Sequence, residues 1–144
     1  MRYGLVCVLA GLLLVVNGQA AELVKQLPDD LTLSEARAVV DAALKKSAAQ
    51  GVPMNIAVVD AGGNLKAFVR EDGAFLGSID ISQKKARTAR AFNMSSAQLG
   101  AAAQPGQELY GIEVTNGGLA IFGGGELLYT QYCLPYWSTY LFHQ

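Results

Sequence analysis

Four basic side chains fall within two turns of one predicted helix, residues 78–93. They are Lys84, Lys85, Arg87 and Arg90. Ammonium and guanidinium groups form charge-assisted hydrogen bonds with carboxylates, so this helix could hold a ligand that carries carboxylate groups. Two other interpretations stay open: a solvated basic face, or ion pairs with Glu71 and Asp72. Thr88, on the same helix, could donate a hydrogen bond to a ligand, although helical threonines often bond their own backbone.

Glycine-rich turns follow later in the chain, at residues 117–118 and 123–125. They lack the strand and helix context of a GxGxxG dinucleotide site, but they could bring backbone amides close to a ligand. Hairpin or bulge geometry explains these glycines equally well. Tyr110, Thr115 and Asn116 lie beside the first turn and could line a ligand pocket with it.

The composition excludes several kinds of site. Two cysteines and one histidine are too few for a zinc site of Cys and His ligands, and a Ser-His-Asp hydrolase would need His143 near the very end. Asp80 is a single carboxylate in the first turn of its helix, where it complements the helix dipole. Ser82, Gln83 and Lys84 follow it, so a multi-carboxylate iron site is not supported. We therefore predict no catalytic residues and assign no metal ligand.

Charge is confined to the middle of the chain. Residues 21–126 carry ten of the 11 basic residues and all 12 acidic ones, whereas residues 127–144 carry none. A net charge of −2 over the middle argues against a protein that binds nucleic acid through its phosphate backbone. The chain is 51% apolar over 144 residues, which predicts one domain with a buried core.

The elements that must position these residues form an α/β pattern. The predicted helices cover residues 33–50, 78–93 and about 95–103. The predicted strands cover residues 54–60, 65–70 and 119–122, with another starting at Leu127. A capping box of Thr32 and Glu35 begins the first helix, and Gly51 ends it.

The N-terminus has the layout of an export signal. Arg2 supplies a positive charge, residues 5–16 are an unbroken apolar run, and small residues precede Ala21. The run is short for a membrane span. We therefore expect cleavage after Ala20 and a mature protein in the periplasm or outside the cell, with no membrane span. An uncleaved anchor is the alternative.

Four stretches together resemble the GlcG/HbpS family of haem-binding, haem-degrading proteins. They are VPMNIAVVDAGGNL at 52–65, DGA at 72–74, KARTA at 85–89 and TNGGLAIFGGG at 115–125. The resemblance covers about residues 30–125. It implies a profilin-like α/β (α+β) fold, in which helices pack on an antiparallel sheet, and homo-oligomers from dimers to octamers. A related domain forms the C-terminal part of PduO-type proteins.

The resemblance also implies haem as a cofactor. The basic helix could bind its propionates, and we expect no histidine ligand, because His143 is the only imidazole and is the second-last residue of a chain end that should fray. The candidate ligand-binding residues are Lys85, Arg87, Thr88, Arg90, Tyr110, Thr115 and Asn116. The accompanying role would be redox sensing or slow haem degradation that needs no protein base. The alternative function is a non-catalytic accessory module that binds a small carboxylate such as glycolate.

Residues 126–144 depart from the family pattern. They are uncharged after Glu126 and hold half of the chain's aromatic residues, which makes a poor solvated surface. The abrupt change in composition favours a frameshifted or truncated product that lacks the last strands and helix of the family. In the extreme case, the chain would be a non-functional copy. A genuine tail that packs on a sheet edge or an oligomer partner is the alternative. The expected segments are thus a signal peptide (1–20), the family-like domain (21–125) and this tail.

Overall fold

The structure is a computed structural model that describes residues 30–128 and 138–141. In chain order its elements are α1 (Leu33–Gln50), β1 (Asn55–Val59), β2 (Leu65–Arg70), α2 (Ser78–Phe92), α3 (Ser96–Ala102), a 3-10 helix (Ile112–Val114) and β3 (Ser138–Leu141). Within the described residues the strands form one antiparallel sheet in the order β2-β1-β3. An antiparallel sheet with helices packed on it confirms the predicted fold class.

Helix α1 begins and ends at the residues that the sequence marks. The Thr32 hydroxyl accepts from the Glu35 N–H at 3.1 Å, and the Glu35 carboxylate accepts from the Thr32 N–H at 2.8 Å. The Thr32 hydroxyl also donates to this carboxylate, and together these hydrogen bonds lower the pKa of Glu35 because they favour its charged form. Gly51 ends the helix at a φ of 68°, in the left-handed region that favours glycine.

Strand β1 is buried on both faces because a helix covers each side of the sheet. Ile56 and Val58 pack with the α1 residue Val40. On the opposite face, the β1 residues Ala57 and Val59 pack with Ala86 and Ala89 of α2, and these small side chains let the helix lie close to the strand. The shared packing positions α2 directly over the sheet and above the hairpin turn that joins β1 to β2.

That hairpin turn is held by one carboxylate. Asp60 Oδ1 accepts from the backbone N–H groups of Gly62 and Asn64, each at 2.9 Å. Gly63 has a φ of 77°, as a tight turn between antiparallel strands requires. Asp60 and Asn64 are therefore structural residues of the turn.

Two parts of the predicted pattern differ in the structure. The strand predicted at 119–122 is wrong: these residues form no strand, because they lie on α2 and not on the sheet. The 3-10 helix at Ile112–Val114 lies in a stretch for which neither a helix nor a strand was predicted. Strand β3 falls within the segment 126–144, and its backbone pairs with β1 from Ile56 to Val59.

The predicted signal peptide and its cleavage site after Ala20 lie outside the described residues, as do Cys133 and His143. Among the residues that are described, no helix combines the length and the apolar character needed to cross a bilayer.

Candidate functional site

The inner face of α2 anchors a glycine-rich segment, residues 118–125. The Thr88 hydroxyl is fully buried and accepts from a backbone N–H of this segment at 3.0 Å. Lys85 is only 1% exposed. Its Nζ donates to the Gly123 carbonyl at 2.6 Å and lies 3.9 Å from the centre of the Phe122 ring. Two predicted ligand-binding residues thus hold the segment on the helix.

Burial changes the chemistry of Lys85. It lowers the pKa of the ammonium group to about 8, because the charged form loses solvation when it leaves water. The Gly123 carbonyl and the Phe122 ring contact the charged form from the segment side. Placing Lys85 on an exposed basic face is therefore wrong, since helix position 85 lies on the packed side of α2.

Helix α3 holds the other end of the glycine-rich segment. Ser96 is fully buried; its Oγ donates to the Phe122 carbonyl at 2.7 Å and accepts from the Gly125 N–H at 2.8 Å. Gly100 approaches the segment so closely that a Cβ atom there would lie 1.8 Å from the Ile121 carbonyl oxygen. A Cβ atom at Gly125 would likewise lie 2.6 Å from the Lys85 carbonyl oxygen. Close backbone packing, not ligand approach, therefore accounts for Gly100 and Gly125.

Arg87 and Arg90 line a cavity of about 350 Å³ together with the hairpin turn at residues 61–63. Arg90 Nε donates to the Ala61 carbonyl at 2.7 Å, and another of its nitrogens donates to the Asn93 side-chain oxygen at 2.7 Å. Arg87 is exposed and makes no hydrogen bond or ion pair with any residue in 30–128. This hairpin-turn cavity therefore combines one fixed guanidinium with one that is open to a ligand.

A further cation lies beside the loop turn, residues 115–118. The two central residues of this turn have positive φ angles of 54° and 74°, and its last N–H donates to its first carbonyl at 2.9 Å, which makes it a type I′ turn. Lys84 Nζ lies 3.6 Å from the position that a Cβ of Gly118 would take, and it pairs with Asp80 at 2.7 Å.

The predicted ligand-binding residues do not form one site. They fall into three groups: Lys85 with Thr88 on the inner face of α2, Arg87 with Arg90 at the hairpin-turn cavity, and Tyr110, Thr115 and Asn116 in the exposed loop. Tyr110 is 66% exposed, and the Thr115 hydroxyl donates to the Ile112 carbonyl at 2.6 Å. The predicted site left out Lys84, although helix position 84 faces outward toward the loop turn.

Neither acidic residue of the β2–α2 loop pairs with the basic helix within the described residues. The Glu71 carboxylate accepts from the Met54 N–H at 2.8 Å and contacts the Ser47 hydroxyl, so the ion-pair interpretation is wrong. A larger groove of about 610 Å³ lies beside Glu71. Its lining holds Asp72 and Glu71 against the single cation of Arg70, so it suits carboxylate ligands less well than the hairpin-turn cavity.

The described residues contain no cluster of side chains of the kind that binds a metal ion. Residues 30–128 contain no group of three or more His, Cys, Asp or Glu side chains that could hold an ion. Asp80, the carboxylate considered for iron, pairs with Lys84 one turn along α2.

The family model for haem degrading proteins of the HbpS-like type matches residues 31–133, which include helices α1, α2 and α3, the hairpin and the glycine-rich segment. The chain belongs to this HbpS-like family. The recognition made from the four sequence stretches is confirmed.

Two curated proteins of Citrobacter freundii are similar to this HbpS-like protein. One is a 15.0 kDa protein from the dhaT-dhaS intergenic region, 41% identical over 66% of this chain and 68% of its own length. The other is the corrinoid adenosyltransferase PduO, 35% identical over 70% of this chain. The chain spans only 30% of the length of that PduO, so the similarity concerns one part of the enzyme.

Two solved structures share the fold. Klebsiella pneumoniae protein ORFY, of family DUF336, is 34% identical with a TM-score of 0.74 over 81% of this chain and 80% of its own. The complex of PduOC with heme is 30% identical with a TM-score of 0.69, over 77% of this chain and 79% of its own. The second of these proteins binds haem.

Proposed function

We propose that this chain is an exported haem-binding protein in which Arg87 and Arg90 hold the haem carboxylates at the hairpin-turn cavity. Membership of the HbpS-like family and the solved PduOC:heme complex support haem as the ligand. One observation carries the assignment of the site: two guanidinium groups meet at a cavity of about 350 Å³, and Arg87 has no partner among the described residues.

The residues at this cavity fit the carboxylates of haem. A guanidinium presents a planar fork of donors that matches a carboxylate in a bidentate geometry. Arg90 is held in place by Ala61 and Asn93, so the cavity is organised before a ligand arrives.

The described residues offer few side chains that could ligate the haem iron. The single histidine, His143, lies outside it, and Met54 is only 2% exposed in the core beside α1. The exposed Tyr110 phenol is an oxygen donor of a type that haem iron accepts, but it lies in the exposed loop and does not line the hairpin-turn cavity. When bound, haem supplies a redox-active iron, while the residues of this chain bind and orient its propionates.

A haemin titration followed by the Soret absorbance tests the proposal. The mature chain, Arg87→Ala and Arg37→Ala are compared, since Arg37 is an exposed cation on α1, across the sheet from the cavity. We expect Arg87→Ala to weaken binding by roughly tenfold or more, because one charge-assisted hydrogen bond contributes about 1–3 kcal/mol. Arg37→Ala and His143→Ala should bind like the wild type. Loss of binding on His143→Ala, with Arg87→Ala silent, would contradict the proposed site.

The volume of the cavity favours one second candidate, a small carboxylate ligand such as glycolate. A space of about 350 Å³ can enclose a small acid, whereas a haem would fill it only with its carboxylate end. Calorimetric titration with glycolate separates the two functions. Heat with glycolate and no Soret change with haemin would select the small-acid binding module.

Export, assembly and haem turnover complete the proposal. Intact-mass measurement of the periplasmic or culture fraction should give a protein that begins at Ala21, and the full-length mass there would contradict cleavage. Light-scattering chromatography should give a homo-oligomer, and a sharp monomer peak would contradict assembly. Incubation of the haemin complex with a reductant and oxygen should bleach the Soret band slowly, and an unchanged band would leave a binding role without degradation.

A further inference from the structure

We propose that Asn116 is a site of spontaneous modification, where the amide of its side chain is converted to a carboxylate through a cyclic imide with the backbone nitrogen of Gly117. This inference is independent of haem binding. It rests on the loop turn at residues 115–118, which presents an exposed asparagine directly before an exposed glycine.

The backbone nitrogen that would react is accessible. Gly117 N makes no hydrogen bond with the described residues, whereas the neighbouring Gly118 N–H is used in the turn at 2.9 Å. Glycine has no Cβ, so nothing on residue 117 hinders the approach of its nitrogen to the Asn116 side chain. A Cβ built at Gly117 would meet no atom within 4 Å, which shows that the space around this peptide is open.

The other asparagines of the described residues lack this combination. Asn55 is 1% exposed and precedes an isoleucine. The Asn64 side chain donates to the Asp60 carboxylate at 3.1 Å, and the Asn93 oxygen accepts from Arg90 at 2.7 Å. Neither Asn64 nor Asn93 precedes a glycine. By contrast, the Asn116 side chain bonds only the Thr115 hydroxyl, at 2.9 Å.

The reaction balances with water as its only co-reactant. The Gly117 nitrogen attacks Asn116 Cγ and forms a new C–N bond, while the bond between Cγ and the amide nitrogen Nδ2 breaks. That amide nitrogen leaves as ammonia, carrying the proton from the Gly117 N–H. Water then adds to either carbonyl of the five-membered imide, and ring opening gives aspartate or isoaspartate at position 116.

The product changes the charge beside α2. A carboxylate at residue 116 joins the turn that Lys84 Nζ approaches, at 3.6 Å from the Cβ position of Gly118. The formal net charge of the protein moves from −1 to a more negative value. The modification therefore offsets the cation of Lys84 and makes this side of α2 less attractive to anions.

Peptide mapping of the aged protein tests the proposal. The full-length protein is incubated near neutral pH and digested with a protease that cleaves after glutamate. Cleavage after Glu113 and Glu126 releases residues 114–126, in which Asn116 is the only asparagine. The peptide is separated into Asn, Asp and isoaspartate forms by chromatography with mass detection, and synthetic Asp and isoaspartate peptides serve as standards.

We expect the Asp and isoaspartate forms of 114–126 to accumulate at least an order of magnitude faster than acid forms at Asn64 or Asn93. Asn116→Gln should abolish the accumulation, since a glutamine would have to form a larger and slower ring. The same protein in denaturant provides the reference rate for this sequence without the turn. Intact Asn116 in the folded protein, at times when the denatured protein has converted, would overturn the proposal.

Discussion

Replacing Lys85 by methionine should flatten the pH dependence of stability in the alkaline range. Lys85 is 1% exposed, and burial lowers its pKa from 10.5 to about 8. Between these two values the native protein has lost the Lys85 proton while the unfolded protein still carries it. Because the unfolded state then binds more protons, the free energy of unfolding rises with pH across this window. This lowering of the Lys85 pKa corresponds to a change of about 3 kcal/mol at most in the free energy of unfolding.

Methionine keeps the volume of the lysine stem and removes the titrating group. Urea unfolding at intervals from about pH 7 to about pH 10 measures the effect as a difference from wild type, so that groups unaffected by the substitution cancel. We expect the rise above about pH 8 to be smaller in Lys85→Met by about 1–3 kcal/mol. Lys84→Met is the matched control, because Lys84 is only half-buried and pairs with Asp80 at the surface of α2. Equal slopes for Lys85→Met and wild type would refute the reasoning.

Three further substitutions test the packing around the site, each by urea unfolding at neutral pH. Gly100→Ala should lower the free energy of unfolding by about 2 kcal/mol or more, because its Cβ would lie 1.8 Å from the Ile121 carbonyl oxygen. A decrease of less than about 0.5 kcal/mol would contradict this close approach. Thr88→Val should lower the free energy of unfolding by about 1–3 kcal/mol, because it leaves the buried Ala120 N–H without its acceptor. An unchanged free energy of unfolding would show that water satisfies this N–H instead. Thr32→Ala should cost about 1 kcal/mol through the lost cap, and an unchanged midpoint would show that the cap contributes nothing.

Local signals in the sequence predicted most of the fold. The capping box at Thr32 and Glu35 and the left-handed Gly51 set the ends of α1 to the residue. Asp60 and the glycines after it define the hairpin turn through bonds within a few residues. Such features depend on neighbours along the chain, so the sequence alone carries them.

The residues around the glycine-rich segment were harder to predict because their partners are distant along the chain. Residues 119–122 have the composition of a strand, yet Thr88 and Ser96 bind the segment through side-chain hydrogen bonds that no local pattern encodes. The charge of Lys85 alone predicts an exposed side chain, like those of the other cations on this helix. Its spacing from Ser82 and Ala89, three residues before and four residues after it, places it on the packed stripe of α2, and that periodicity is the signal that could have identified it.

The candidate site was predicted by residue type and only partly by arrangement. Arg87 and Arg90 were proposed as carboxylate ligands, and the structure brings both to one cavity with the hairpin turn. That the partner surface is residues 61–63 follows from how α2 packs over β1, which the linear sequence does not show. That the role of Arg87 and Arg90 is ligand binding stays a prediction.

The central claim is that Arg87 holds a haem carboxylate, and a comparison of haemin with its dimethyl ester tests it most directly. The affinities of both compounds are measured for wild type and Arg87→Ala, which forms a double-mutant cycle. If the guanidinium binds the carboxylate, esterification should weaken binding to wild type by roughly tenfold or more and should weaken binding to Arg87→Ala distinctly less, since only Arg90 then loses a carboxylate partner. An equal loss on esterification in both proteins would show that the carboxylates are held elsewhere and would contradict the account.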